Sequence, residues 1–289
     1  MKPRLNDFMF KRNKIVIPAQ GEIQINPKKL DSCFYRNDKL LFLYWGSIFF
    51  GFIFILFYPF TSTRSQGDPA SDWHLLYPKI RDRIISKGEA QEKLKALEIL
   101  LKDFYLKTTS LEQDDHLCFP LKGYGSSAIG GKGSGYQIQG YDFFDGNQHK
   151  GHPGHDIFIF DQNQDGLDDR TGKPVEVIAS VSGVVVSVNL HWDPSSLIRG
   201  GNYIWTYDPM KSRYYYYAHL NEIFVKAGQV VSKGERLGTV GRTGVKAYPK
   251  KSPTHLHFTV HQSKDGYPKP LNPFLELTKA SCQERSSSL

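Results

Sequence analysis

Five side chains in the C-terminal half of this 289-residue sequence have the types and spacings that metal and acid–base chemistry require. His152 and Asp156 form an HxxxD pair in His-Pro-Gly-His-Asp, which leads into the apolar run DIFIF (156–160). His255 and His257 form an HxH pair inside THLHF (254–258), and His219 closes the run YYYYAHL (214–220). Residues i and i+2 of a strand share a face, so His255 and His257 point together while Leu256 and Phe258 point to the other side. Asp156 begins its strand, and the Pro-Gly turn lets His152 fold back to the same place. Imidazole and carboxylate ligands in a two-nitrogen, one-oxygen set suit tetrahedral Zn²⁺ and leave a fourth position for water. Each piece alone is weak, because an isolated HxH is more often a pair of partly buried histidines. Their joint presence, with a third His after a Tyr-rich strand, is the stronger signal. His155 is set aside because alternation turns it away from Asp156.

The elements that must position these groups read as β-strands. After Pro120 short runs rich in Val, Ile, Tyr and Phe alternate with Gly, Asn and Asp: DIFIF, VEVIA (175–179), GVVVSVN (183–189), NYIWTY (202–207), YYYYAHL and LHFTV (256–260). That texture predicts antiparallel strands joined by tight turns. The consecutive tyrosines 214–217 read as two buried and two exposed rings. The Gly-Ser run 123–135 is not a phosphate loop, since Lys132 is followed by Gly133 and no GxGxxG occurs. It reads as a surface loop entering the domain. Upstream, 77–106 is helical in pattern. Ser86 and Glu89 have capping-box spacing, Leu94, Leu97, Leu101 and Phe104 lie on one face, and Gly88 suggests a break between two short helices. So short a stripe suits a helix packed on the domain that follows better than a spacer or a coiled partner helix.

From Leu40 to Phe60 run 21 residues without a charge, seven of them Phe. A helix of that length rises roughly 30 Å, the thickness of a bilayer's hydrocarbon core. Of the net charge of +8, residues 1–39 supply nine Lys/Arg and four acids, a balance of +5, so the other 250 residues share +3. A nucleic-acid face on the folded part is therefore not required. The Lys/Arg bias places residues 1–39 in the cytoplasm as a basic leader and the remainder outside, with 40–60 as an uncleaved signal anchor in the inner membrane. The expected organisation continues with a helical neck (61–117), a β domain (118–275) and a polar tail (276–289). Cys33 then faces the reducing side, while Cys118 and Cys282 face the oxidising side, where pairing is open to them.

At HPGHD, PVEVIASVSGVVVSV (174–188), GGNYIWTY (200–207), YYAHL (216–220), VKAGQVVSKGERLGTVGRTG (225–244) and THLHF, the chain resembles the M23 (lysostaphin/LytM-type) zinc metallopeptidases over roughly 118–275. The resemblance implies a mainly β fold, two layers of antiparallel sheet with an open groove. It implies His152, Asp156 and His257 as ligands of one Zn²⁺, with His219 and His255 as catalytic histidines, and cleavage of peptide cross-links of bacterial peptidoglycan by a zinc-activated water. An outward-facing domain tethered to the cell membrane suits that polymer. No Glu lies beside the ligands, so an imidazole is the natural base: His255 is expected to deprotonate the water and His219 to donate to the oxyanion, or the reverse.

One stretch departs from the family. Between DIFIF and VEVIA, Asp161, Asn163, Asp165, Gly166 and Asp169 match positions of a calcium loop, but Gly172 stands where a bidentate Glu is needed. Ca²⁺ in the 161–172 loop competes with a simpler Asx- and Gly-rich turn. Among rival functions, a non-catalytic LytM-type regulator or cell-wall-binding module on the same fold is opposed by the complete set of five residues. A biotinyl or lipoyl carrier is opposed by the setting of Lys233.

Overall fold

The computed structural model of the chain describes residues 68–110, 116–280 and 282. The expected leader, membrane segment and Cys33 lie outside the described residues. Among the described residues no helix is long and apolar enough to cross a membrane.

Among the described residues two helices come first. α1 (Pro69–Arg81) starts at Asp68, whose carboxylate accepts from the Ala70 and Ser71 N–H groups. α2 (Lys87–Thr108) starts at Ser86, whose hydroxyl accepts from the Glu89 N–H. The break between them falls at 82–86 and not at Gly88. Arg83 takes a left-handed φ of 57°, and the Ser86 cap sets the new start, so Gly88 sits in the first turn of α2.

Among the described residues twelve strands follow, and all their pairings are antiparallel, as expected. They are β1 (Gly154–Phe158), β2 (Leu167–Asp168), β3 (Lys173–Pro174), β4 (Glu176–Ile178), β5 (Gly183–Asn189), β6 (Tyr203–Asp208), β7 (Arg213–Ala218), β8 (Leu220–Ile223), β9 (Val230–Val231), β10 (Arg236–Val240), β11 (His255–Lys264) and β12 (Tyr267–Leu271). A short helix, α3 (Phe274–Thr278), comes after them. The large sheet runs β1-β11-β7-β6-β5-β9, with β12 also paired to β11; β4-β10-β8 form a small sheet and β2-β3 a hairpin. The long β11 carries β7 along one edge, and β1 and β12 share the other.

Period-two alternation sorts the side chains of the large sheet into two cores. Val185, Ile204, Tyr215, Tyr217, Leu256 and Phe258 pack toward the small sheet with Val177, Leu237 and Val240. Val184, Tyr203, Trp205, Tyr207 and Tyr214 pack toward α1 and α2, against Trp73, Ile80, Leu94 and Leu101. The helices thus pack on the domain that follows them, as the short stripe predicts, and add a third layer to the two layers of sheet. This corrects the tyrosine reading: Tyr214, Tyr215 and Tyr217 are buried and Tyr216 is partly so, because both faces of β7 are covered. Trp73 anchors the helical layer, stacking on Tyr77 and donating its indole N–H to the Tyr214 hydroxyl at 3.2 Å. A disulfide between Cys118 and Cys282 ties the entry of the β region to its end.

Trp73 is fully buried, so Trp73→Ala should cost about 3–5 kcal/mol. Denaturant unfolding followed by sheet circular dichroism should show the loss in the main transition. A helical pair acting only as a spacer would leave that transition unmoved.

Candidate metal centre and groove

Antiparallel register brings the two distant motifs together. β1 pairs with β11 so that Asp156 faces His257 directly, and Phe158 faces His255. On β11 the residues His255, His257, Thr259 and His261 alternate with Leu256, Phe258 and Val260, which are buried in the core beneath the small sheet. The polar set therefore looks out on the helix-bearing face, where a cleft of ≈ 220 Å³ opens. His152 is delivered by an irregular segment, where Gln137 and His152 exchange backbone hydrogen bonds. His155 points away, as alternation requires: it is buried, with its Nε2 2.9 Å from the Asn272 side-chain oxygen.

Asp156 Oδ1 lies 3.1 Å from His152 Nε2 and 2.9 Å from His257 Nδ1. One ligand atom from each of these three residues falls within 4.8 Å of the others, a group that can hold a metal ion. A tetrahedral centre with Zn–N and Zn–O bonds near 2.0–2.1 Å has donor edges of about 3.3–3.4 Å, close to those separations. Proton placement gives a sharper test of fit. His152 Nδ1 is 2.8 Å from the Gly135 carbonyl, which can only accept, so Nδ1 carries the hydrogen. In the neutral ring Nε2 then turns a lone pair on the Asp156 carboxylate. A proton or a cation between them relieves that repulsion, and the donor set suits a cation.

His219 and His255 stand beside this group without joining it. His219 follows β7 with a left-handed φ of 66° and its Nδ1 2.7 Å from the Thr243 carbonyl. Gly244 makes that approach possible, since a side chain there would strike the Arg199 carbonyl and come within 2.9 Å of His219 Nδ1. His255 Nδ1 is 2.7 Å from the Pro253 carbonyl, and its Nε2 is 3.7 Å from Asp156 Oδ1. The two rings meet edge to face with centroids 4.9 Å apart. Both rings donate from Nδ1, so each neutral ring carries a lone pair at Nε2.

Burial opposes the charge on Asp156, yet the close His152 and His257 rings hold its carboxyl well below the usual range. Burial pushes His219 well below the ordinary imidazole value, helped by His255 and His257. Farther along the cleft, burial and then the Arg199 charge bring His149 to about 4, and burial with His149 brings His261 to about 3. His261 Nε2 lies 2.8 Å from the Tyr141 hydroxyl.

Several contributors carry no signature in residue type or spacing. Gly135 and Thr243 act through carbonyls, which no residue type announces. Arg199 and His149 meet across 50 positions, the guanidinium Nη1 donating to the His149 carbonyl at 2.8 Å. The 161–172 loop draws no support for calcium. Asp161 accepts from the Asp165 and Gly166 N–H groups and from the Thr254 hydroxyl, and Asp165 and Asp169 likewise cap loop N–H groups. Among the described residues the only metal-holding group found is His152, Asp156 and His257. Through Thr254 the loop braces the residue before His255.

Residues 162–273 match the model of peptidase family M23, a span that includes His219, His255 and His257 and begins after Asp156. Over 45 residues the chain is 47% identical to an "Uncharacterized metalloprotease" of Haemophilus influenzae, covering 16% of this chain. The match spans only 8% of that relative's length. Among solved structures, a zinc containing peptidase from Vibrio cholerae is similar at 23% identity, over 54% of this chain and 39% of that one, with a TM-score of 0.34. The catalytic domain of the antimicrobial peptidase lysostaphin from Staphylococcus simulans is similar at 25% identity, over 54% of this chain and 90% of that one, with a TM-score of 0.33.

His261 is 1% exposed and is neutral in the folded protein down to about pH 3. The unfolded chain protonates this group near pH 6.5, so its contribution to stability is complete above that value and is lost as pH falls toward 3. Between pH 6 and 4, His261→Gln should lower the pH slope of unfolding free energy by about 1.4 kcal/mol per pH unit. Urea titrations across that range check it; an unchanged slope would place His261 in contact with water.

Proposed function

We propose, from the premise that residues 162–273 form a peptidase family M23 domain, that this protein is a membrane-anchored zinc endopeptidase cutting peptide cross-links of peptidoglycan. The observation that carries the reading is the convergence of His152, Asp156 and His257 on one point of the cleft, with His219 and His255 alongside. Zn²⁺ held by those three residues would acidify a water and polarise a carbonyl oxygen.

The chain's own groups handle the protons. His255 takes the proton of the attacking water at Nε2, which its Nδ1 bond to Pro253 leaves as a lone pair. The water oxygen bonds to the peptide carbon, the carbon–nitrogen bond breaks, and the same proton passes to the leaving amine. His219 also presents a lone pair, so it orients the water as an acceptor instead of donating to the oxyanion. That changes the division of labour expected from sequence. The regulator alternative keeps no observation of its own, because all five side chains are present and brought together.

The uncharged run 40–60 supports a single membrane pass with the domain outside, and the Cys118–Cys282 disulfide fits the oxidising side of that topology. On this organisation 1–39 is a cytoplasmic leader and 118–275 the catalytic region, with the two helices of the expected neck packed on its sheet.

Purified full chain in detergent should release fragments cut within the peptide part of peptidoglycan, as read by mass spectrometry. Intact peptides with cut glycan would overturn the reading. His219→Ala and His255→Ala should keep about one zinc per chain and lose at least 100-fold in kcat/KM. Asp156→Ala should lose the zinc itself, measured by plasma mass spectrometry.

A further inference from the structure

The cleft holds a cation that the chemistry above does not use. Arg199 lines it together with the five site residues. Its guanidinium lies against the His149 ring, with Nη1 3.3 Å from Nε2, and the same Nη1 donates to the His149 carbonyl at 2.8 Å. Arg199 is half-buried, and among the described residues no carboxylate pairs with it. The cleft contains a single carboxylate, Asp156, which is engaged by His152 and His257, while Lys246 adds a second positive charge at the wall. A guanidinium held by one arm, partly desolvated and without a counter-ion is arranged to take a planar anion in two parallel hydrogen bonds.

We propose that Arg199 is a specificity-determining residue that binds a free carboxylate of the peptide being cut. The claim rests on the hydrolase reading and narrows it. Stem-peptide cross-links carry free carboxylates near their amide bonds, whereas the interior of an oligoglycine bridge carries none. The substrate class is therefore the acidic stem-peptide cross-link. Arg199 is anchored by His149, only three positions before His152, so the carboxylate and the scissile bond share one cleft.

The test compares a synthetic stem-peptide dimer bearing its free carboxylates with the same dimer fully amidated. Both kcat/KM and calorimetric Kd are measured on zinc-loaded full chain in detergent. Wild type should favour the acid tenfold or more in both quantities. Arg199→Gln should bring the ratio near one, and Arg199→Lys, which keeps the charge but not the fork, should fall between. Because each ratio is taken within one variant, a general loss of folding cancels. Equal handling of acid and amide by wild type, or an undiminished preference in Arg199→Gln, would overturn the proposal. Cleavage of neither dimer would defeat the hydrolase reading, and the binding ratio would still decide the role of Arg199.

Discussion

The site depends on the register of one strand pair. Asp156 and His257 are 101 positions apart, yet the antiparallel β1–β11 ladder sets them opposite one another and fixes them on the same face. Because side chains alternate with period two, a slip of one residue would turn His257 into the core and Leu256 into the cleft. Leu256, Phe258 and Val260 guard against that slip, since each is fully buried in the core under the small sheet. Hydrophobic burial at three positions thus holds the polar positions between them in the cleft.

The two coverings of the large sheet divide the work. The small sheet seals one face along most of its length. The helices seal the other face over β5, β6 and β7 and leave the region over β1 and the start of β11 open, which is where the cleft lies. Tyr77 of α1 and Trp205 of β6 belong both to the packed helical core and to the cleft wall. The helical layer is therefore part of the groove's architecture. Burial there also favours the neutral form of His219, which suits a group that must accept a hydrogen bond from water.

Much of this was legible in the sequence, and the reasons are physical. HxxxD and HxH are short-range patterns whose spacing already implies a shared face, and β-branched and aromatic runs bounded by Gly and Asn marked β1, β4, β5, β6 and β7 to within two residues and the start of β11, while the short strands between them carried no such run. What escaped was information carried by tertiary contacts. The fate of Tyr214–Tyr217 depended on a helical layer that period-two alternation cannot reveal. The break before α2 was set by Ser86 and by the left-handed Arg83, and Gly88 only drew attention to the neighbourhood. The carbonyls of Gly135, Pro253 and Thr243, which choose the protonated nitrogen of three histidines, are invisible in any list of residue types. Arg199 resembled any surface arginine until the fold set it beside His149.

The central claim is that two imidazoles and one carboxylate, converging from opposite ends of the β region, clasp a single cation. X-ray absorption spectroscopy of the zinc-loaded full chain examines that directly. The expected result is a first shell of nitrogen and oxygen at about 2.0–2.1 Å, with the outer-shell scattering of two imidazoles. Sulfur at about 2.3 Å, or the signature of three or more imidazoles, would contradict it.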